Sequence, residues 1–282
     1  MVFYTKDLVT RLKKEIKDDV ELLKKRGIFP ALTVIQVGDD FSSGIYVRNK
    51  KKACEETGIL CNIHHLSGKQ STQNELLSLI AELNNSNIHG ILVQLPLPAH
   101  LHPQEVLATI DPNKDVDGFC ANNVGNLVQG HPNVLPCTPL AVLTILKNQE
   151  IEISGKHCVI VGRSNIVGKP MAMLMLNESA TVTICHRQTK DLGEFCRSAD
   201  ILICAAGAPK LIKQGMVKPG SVVIDVGISR DENGQCCGDV DFESVKELAG
   251  FITPVPGGVG PMTIAMLLKN VLTLTKQQKE KI

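Results

Sequence analysis

The chain has 282 residues, of which 43% are hydrophobic and 21% charged, a composition typical of a soluble globular protein with room for two domains of ordinary size. Its 30 Lys and Arg residues against 29 Asp and Glu residues give a net charge of +1, which excludes a general attraction to nucleic acid or anionic lipid. Any anion site must therefore be local, and no apolar run approaches the length that spans a bilayer.

The first half of the chain alternates apolar runs with helical patterns, in the order β-α-β-α-β. The predicted elements are a strand at 32–37, a helix at about 42–57, a strand at 59–63, a helix at about 72–83 and a strand at 90–95. A turn-rich passage from Leu95 to Pro132 follows, and we place the domain junction there. We therefore expect a first domain of residues 1–137.

The second half predicts a Rossmann-like parallel sheet within a domain of residues 138–261. Its predicted strands are 158–161, 181–185, 200–205 and 221–226, with helices between them and a hairpin-like stretch at 229–234. A final apolar helix starts at about Met262, and we expect residues 262–282 to pack back on the first domain. The predicted fold class is thus α/β with two α/β domains.

The ten cysteines are predicted to be reduced thiols of a cytoplasmic protein. The sequence has no Cys-x-x-Cys pair and no N-terminal signal peptide. His64, His65, His100 and His102 lack partner ligands at useful spacing, so we predict no metal site.

The segment that follows the strand at 158–161 is the predicted dinucleotide site. Gly162 permits a tight turn, and the small residues Ser164 and Gly168 let the backbone approach a ligand. Pro170 falls in the first helical turn, where its missing N–H costs nothing and neighbouring N–H groups would face a pyrophosphate. The pattern departs from G-x-G-x-x-G and is also typical of a plain helix start, but the strand-turn-helix context favours a bound dinucleotide.

The residues after the next strand favour NADP over NAD. In NAD enzymes an Asp or Glu roughly 20 residues past the glycines holds the ribose hydroxyls. Here the chain has Cys185 to Thr189 in that place, and no carboxylate appears before Asp191. Arg163 and Arg187 can instead pair with a ribose phosphate. The alternative is that both arginines are solvated surface residues, since exposed Arg is common.

Candidate catalytic groups come from the first domain. Tyr46 and Lys50 lie four residues apart on a predicted helix, so a ring can support a flat substrate beside an amine. Lys50 also begins the run Lys50-Lys51-Lys52, which is typical of a solvated helix face. Gln94 ends a buried strand at the edge where open α/β sheets bind ligands.

Two turn-rich segments have both a structural and a functional interpretation. Asp115 and Asp117 precede Gly118 in a turn, where they form an Asx motif or where one carboxylate grips an amidine-like edge. The Pro- and Gly-rich stretch 254–263 is a connecting loop or a rigid backbone that lines a flat ligand.

These motifs, in this order, closely resemble the bifunctional methylenetetrahydrofolate dehydrogenase/cyclohydrolase family of the bacterial FolD type. The matching segments are Tyr46-x-x-x-Lys50, Gln94 to Pro98, Lys114 to Phe119, Gly162 to Gly168 and Pro254 to Thr263. The resemblance runs almost end to end. It implies oxidation of 5,10-methylenetetrahydrofolate by NADP and then hydrolysis of the methenyl product to 10-formyltetrahydrofolate, in one cleft between the domains.

The resemblance also implies residue roles. Lys50 would be the general acid/base, Gln94 its hydrogen-bonded tuner, Tyr46 a stacking and orienting group, and Asp117 the anchor of the pterin amino edge. The folate pocket would be lined by the backbone of Pro256, Gly257 and Gly258. The cofactor would be bound by Gly162, Arg163, Ser164, Ile166, Val167, Gly168, Arg187 and Ile228. Family members are homodimers, so we expect a homodimer.

Two other classes of function stay open from the residues alone. A two-domain Rossmann dehydrogenase for another small substrate, of the shikimate dehydrogenase kind, would keep the cofactor site without needing Lys50, Gln94 and Asp117 together. A nucleotide-binding module without turnover would tolerate the loss of Lys50.

Overall fold

The computed structural model describes residues 1–280, which divide into two compact units. The first unit comprises Thr10–Cys137 and the last helix from Ile264 onward, and the second unit comprises Met1–Val9 and Thr138–Thr263. Both contain a parallel sheet with helices between the strands, which confirms the predicted α/β class.

The first unit is built on a three-stranded parallel sheet. Its elements are α1 (Lys6–Lys25, which begins in the second unit), β1 (Ala31–Val37), α2 (Phe41–Thr57), β2 (Leu60–Leu66), α3 (Gln73–Asn84), β3 (Gly90–Val93), α4 (Pro103–Thr109) and α5 (Ala121–Val128). The strand order is β2-β1-β3. β1 and β3 are almost continuously apolar because both of their faces are buried, whereas β2 lies at an edge and is partly exposed.

The second unit contains a five-stranded parallel sheet of order β10-β7-β6-β4-β5. Its elements are α6 (Cys137–Asn148), β4 (His157–Val161), α7 (Gly168–Asn177), β5 (Thr181–Cys185), α8 (Leu192–Arg197), β6 (Ile201–Cys204), β7 (Val222–Asp225), β8 (Ser229–Arg230), β9 (Cys236–Cys237), α9 (Phe242–Val245), β10 (Phe251–Ile252) and the start of α10 (Val259–Glu280). β8 and β9 form a small antiparallel hairpin. The core is made of apolar residues from the strands, such as Val159, Leu202 and Val223.

Three features of the structure differ from the predicted elements. The charged helix α1 precedes the first predicted strand, and α4 and α5 lie inside the passage predicted to be turn-rich. Residues 1–9, predicted in the first domain, pack in the second unit, where the Phe3 N–H donates to the Ile252 carbonyl at 2.9 Å. Across residues 1–280, none of the helices is both long enough and apolar enough to cross a bilayer.

Candidate functional site

The helix that carries Tyr46 and Lys50 is fixed at both of its ends. The Asp40 side chain accepts the Ser43 N–H at 2.7 Å and so caps the start of α2. Gly58, at φ 80°, ends the helix in the left-handed conformation. Tyr46 and Lys50 are one turn apart on this helix and both are partly exposed. The two caps thus fix the ends of the helix backbone that carries both side chains.

Lys50 and Gln94 are joined by a direct hydrogen bond. The Lys50 Nζ donates to Gln94 Oε1 at 2.9 Å, and Gln94 Nε2 donates to the Leu95 carbonyl at 2.7 Å. Together the two bonds set the orientation of the amide. A flipped amide would turn its NH2 group toward the ammonium and its oxygen toward the Leu95 carbonyl. Lys51 and Lys52 are exposed. The lysine run therefore divides into one site residue and two surface residues.

Sheet topology explains why these two side chains meet. β1 lies between β2 and β3, so the connections leaving β1 and β3 diverge at the carboxyl edge of the sheet. α2 follows β1, and Gln94 comes directly after β3 with its N–H bound to the Ile35 carbonyl at 2.8 Å. The pair therefore occupies the switch point where open α/β sheets bind ligands.

The two aspartates of the turn have different environments. Asp115 is 1% exposed, and its Oδ2 accepts the Cys120 N–H at 2.8 Å and the Asn123 Nδ2 at 3.0 Å. Asp115 therefore closes the turn, which is the Asx-type role. Asp117 remains partly exposed.

The carboxyl of Asp117 interacts electrostatically with the Lys50 amine. Burial of its carboxyl raises the pKa of Asp117, and the positive charge of Lys50 opposes that rise. The Cys137 thiol, which donates to the Val116 carbonyl at 3.3 Å, lies near the same carboxylate, and burial followed by the charge of Asp117 raises the pKa of Cys137 well above its usual value. The first unit thus brings together Lys50, Gln94 and Asp117, with Tyr46 on the adjoining helical turn.

Asn270 on α10 holds the turn that presents Asp117. Its side chain is buried, and Nδ2 donates to the carbonyls of Val116 and Leu135, each at 2.8 Å. On the other side of the turn, the Ile91 N–H of β3 binds the Lys114 carbonyl at 2.7 Å. Sequence reasoning missed Asn270, and the one available signal was a polar residue within the apolar stretch of the last helix.

The glycine turn of the second unit brings backbone into close contact with backbone. Gly162 has φ 131°, and a Cβ at this position would overlap the Ala205 carbonyl that follows β6. A Cβ on Gly168 would overlap the Gly162 carbonyl. Both glycines are therefore required by space, as the sequence predicts, and the loops after β4 and β6 touch at the switch point of this sheet.

Ser164 also binds backbone N–H groups through its hydroxyl. Its Oγ accepts the N–H of Val167 at 3.1 Å and of Gly168 at 3.3 Å, so the hydroxyl holds together the turn that leads into α7. Ile166 and Val167 are partly buried beside it.

The two arginines predicted to bind the ribose phosphate are exposed. Arg163 Nη2 donates to Gln188 Oε1 at 3.4 Å, which brings Arg163 to the segment that carries Arg187. Ile228, which follows β7, is 48% exposed. These side chains belong to the second unit.

The Pro- and Gly-rich stretch also lies in the second unit. Pro256 is exposed, and Gly257 has φ 104°. The buried Thr5 hydroxyl donates to the Gly258 carbonyl at 2.7 Å, so a residue near the start of the chain supports this segment. Sequence reasoning missed Thr5, because nothing local links it to residues some 250 positions away.

A buried pair of carboxylates supports the loops at the cofactor edge and was also missed. Asp239 Oδ1 accepts the Ala208 N–H at 2.8 Å, and its Oδ2 accepts the Gly207 N–H at 3.1 Å. Asp225 accepts N–H groups of Gly227 at 3.1 Å and of Asp239 at 3.0 Å. Three consecutive inward-facing N–H groups, from residues 206 to 208, thus bind an internal carboxylate. Among residues 1–280, no three His, Cys, Asp or Glu side chains form a group suited to a metal ion.

Profiles of two family domains match the chain. The catalytic domain of tetrahydrofolate dehydrogenase/cyclohydrolase matches residues 3–117, and the NAD(P)-binding domain of the same enzymes matches residues 136–279. The bifunctional protein FolD of Agathobacter rectalis is 56% identical over 269 residues, which cover 95% of this chain and 96% of that protein.

Solved structures of similar proteins have the same fold. The bifunctional FolD methylenetetrahydrofolate dehydrogenase/cyclohydrolase of Campylobacter jejuni is 51% identical, with a TM-score of 0.95 over 99% of each chain. The Trypanosoma brucei FolD enzyme, solved with NADP cofactor and an inhibitor, is 39% identical with a TM-score of 0.95, and the match covers 99% of this chain and 98% of that one.

Proposed function

The chain belongs to the tetrahydrofolate dehydrogenase/cyclohydrolase family, and we propose that Lys50, Gln94 and Asp117 supply the side chains that its chemistry requires. The protein is an NADP-dependent methylenetetrahydrofolate dehydrogenase and methenyltetrahydrofolate cyclohydrolase. Hydride leaves the methylene carbon of 5,10-methylenetetrahydrofolate, and water then adds to the methenyl cation to give 10-formyltetrahydrofolate. The residue assignment rests on the hydrogen bond between Lys50 and Gln94 and on the electrostatic interaction of Lys50 with the Asp117 carboxylate.

The second unit is suited to NADP, which when bound supplies the hydride acceptor. Gly162 and Gly168 allow the close backbone packing that shapes the turn before α7, where a dinucleotide pyrophosphate binds in Rossmann-like folds. Within residues 1–280, neither Arg163 nor Arg187 forms an ion pair with a carboxylate, and both guanidinium groups are exposed. We assign them to the ribose phosphate. Ile166, Val167 and Ile228 add apolar contact.

Lys50 acts as the general base when water attacks the methenyl carbon. The nitrogen lone pair of an uncharged amine accepts the proton of the attacking water. Gln94 Oε1 holds one N–H of Lys50, so the nitrogen lone pair points away from Gln94. Hydride transfer demands chiefly positioning, and Tyr46 provides it by stacking on the pterin.

Asp117 anchors the pterin ring. The aminopyrimidine edge of a pterin presents two adjacent N–H donors, which match the two oxygens of one carboxylate. Two such hydrogen bonds favour the ionised form of Asp117, against the effect of burial, which raises its pKa. From the family resemblance we also assign the backbone of Pro256, Gly257 and Gly258 to folate binding, and Thr5 holds the last of these residues.

We also propose that the enzyme is a cytoplasmic homodimer. All ten cysteines, which lie within residues 1–280, are free thiols, a state that suits a reducing cytoplasm. Family resemblance supports a homodimer that supplies one-carbon units to purine, methionine and histidine biosynthesis. Sedimentation analysis of the purified protein tests the dimer, and a monomer across the working concentration range would contradict it.

A coupled assay tests the activity and the cofactor together. Purified protein given methylenetetrahydrofolate and NADP is expected to form NADPH and then 10-formyltetrahydrofolate, both followed by absorbance. NAD at the same concentration is expected to react at least about tenfold more slowly, because it lacks the phosphate that the two arginines neutralise. Equal rates with both cofactors would overturn the assignment of Arg163 and Arg187.

Asp117→Asn is expected to weaken folate binding by about 100-fold and to leave NADPH binding unchanged. The asparagine keeps the size of the side chain but turns one acceptor into a donor that opposes a pterin N–H. The dissociation constants for tetrahydrofolate and NADPH, measured by calorimetry, give the result and its internal control. Weakening of both ligands to the same extent would indicate misfolding of the turn and contradict a direct contact.

Gly168→Ala is expected to weaken NADPH binding by tenfold or more. The added Cβ meets the Gly162 carbonyl and lies 2.9 Å from the Arg163 Cα, so the turn must open. Gly215→Ala in the same unit is the matched control, since a Cβ there has no atom within 4 Å. NADPH fluorescence titration measures both variants, and equal affinities would show that the close contact is not part of the cofactor site.

A further inference from the structure

Two cysteines lie beside the helix turn that follows Lys50. Cys54 is one turn beyond Lys50 on α2, and Cys61 is the second residue of β2. The left-handed Gly58 reverses the chain between them, and the Ile59 N–H donates to the Cys54 carbonyl at 3.0 Å. After this reversal β2 packs against α2, and the two thiols are close enough for each to shift the pKa of the other. They are therefore neighbours in space although they belong to different elements.

The pair combines one buried thiol with one accessible thiol. Cys54 has no exposed surface, whereas Cys61 is partly exposed on the edge strand β2. The neighbouring Cys54 thiol lowers the pKa of Cys61, burial opposes that shift, and the charges of Lys51 and Lys50 favour the thiolate. Burial instead raises the pKa of Cys158 and Cys196 to about 12. Cys61 thus has the exposure and the thiolate character that reactive cysteines need.

We propose that Cys54 and Cys61 are a redox modification site, which a peroxide oxidises to a disulfide that slows the cyclohydrolase step. The Cys61 thiolate attacks one peroxide oxygen, so that an S–O bond forms, the O–O bond breaks and the leaving oxygen takes a proton. The Cys54 sulfur then attacks the sulfenic sulfur, the S–S bond forms, and the S–O oxygen leaves as water with the Cys54 proton. The two thiols lose two electrons, which the peroxide gains, and a dithiol reductant reverses the change.

The expected effect on catalysis rests on the proposed role of Lys50. A disulfide brings its sulfur atoms to about 2.05 Å, closer than two unbonded thiols can lie, so we expect the last turn of α2 to move toward β2. Lys50 lies one turn away on the same helix. Because a misplacement of about 1 Å can cost about 100-fold in rate, we expect the cyclohydrolase rate to fall tenfold or more.

Oxidation of the whole enzyme with hydrogen peroxide tests the site without any substitution. Intact mass is expected to fall by two hydrogens, and peptide mapping without reduction is expected to find residues 54 and 61 in one linked species. The cyclohydrolase rate should fall with the same time course and return with dithiothreitol. Absence of the linked species while the rate falls would overturn the proposal.

Three variants separate the site from other thiols. Cys61→Ser and Cys54→Ala are expected to keep the basal rates and to resist the reversible loss, whereas Cys236→Ser, which removes an exposed thiol elsewhere, should lose activity like the parent. Equal reversible loss in Cys61→Ser would contradict the proposal. A disulfide that forms with no change in rate would overturn the regulatory effect alone, because the role of Lys50 is measured separately on its own variants.

Discussion

Replacing Lys50 with methionine is expected to lower the rate of methenyltetrahydrofolate hydrolysis by about 10²–10⁴-fold, the range that a positioned general base contributes. The dehydrogenase rate should fall much less, because hydride transfer needs orientation of the two reactants and no proton acceptor. Steady-state assays of the two half-reactions, each begun from its own substrate, measure both effects. Lys52→Met, on the exposed part of the same helix, is the matched control and should leave both rates unchanged.

Lys50→Arg distinguishes a base from a fixed positive charge. Arginine keeps the cation that lowers the pKa of Asp117, but it stays protonated at any working pH. If the charge alone matters, Lys50→Arg retains hydrolysis and Lys50→Met does not. We expect both variants to lose hydrolysis, while Lys50→Arg binds folate better than Lys50→Met because Asp117 keeps its neighbouring charge. A cyclohydrolase rate that survives in either variant contradicts the assigned role.

Local sequence patterns were sufficient where contiguous residues build the site. The segment Gly162–Gly168 follows a buried strand and opens a helix, and space in the structure requires glycine at both positions. The same reasoning yields the α/β class and most strand positions, since parallel strands are short apolar runs between helices. Helix α1 is not among the predicted elements, because its buried residues Leu8, Ile16 and Val20 are spaced along a charged stretch and form no continuous apolar run.

Residues whose roles depend on contacts far away in the sequence could not be predicted from local patterns. Asn270 binds the Val116 carbonyl across 154 positions, and Thr5 binds Gly258 across 253. Spacing along the sequence also does not distinguish the site residue Lys50 from the surface residues Lys51 and Lys52. Lys50 differs from them through its hydrogen bond to Gln94, which lies after another strand. Periodicity describes which face of one element is apolar, whereas these contacts depend on how elements pack.

The stability of the second unit is expected to depend on pH through Asp225. This residue is 2% exposed, and burial raises its pKa to about 7 although three backbone N–H groups favour its charged form. An unfolded Asp titrates at about 3.9, so the folded state binds the proton more tightly, and the resulting stabilisation is present below about pH 4 and is lost as the pH rises through about 7. The whole effect amounts to about 4 kcal/mol.

The variant Asp225→Asn lacks this titration and serves as the reference. The difference in unfolding free energy, native protein minus variant, is expected to fall by about 4 kcal/mol between about pH 4 and about pH 7. Urea unfolding followed by far-ultraviolet circular dichroism measures it. Asp231→Asn should show the opposite sign, because the Gln235 N–H lowers the pKa of Asp231 and so stabilises the folded state as the pH rises. A difference for Asp225→Asn that stays constant with pH would mean that Asp225 titrates alike in the folded and unfolded chains, and the network of backbone N–H groups would then compensate fully for its burial.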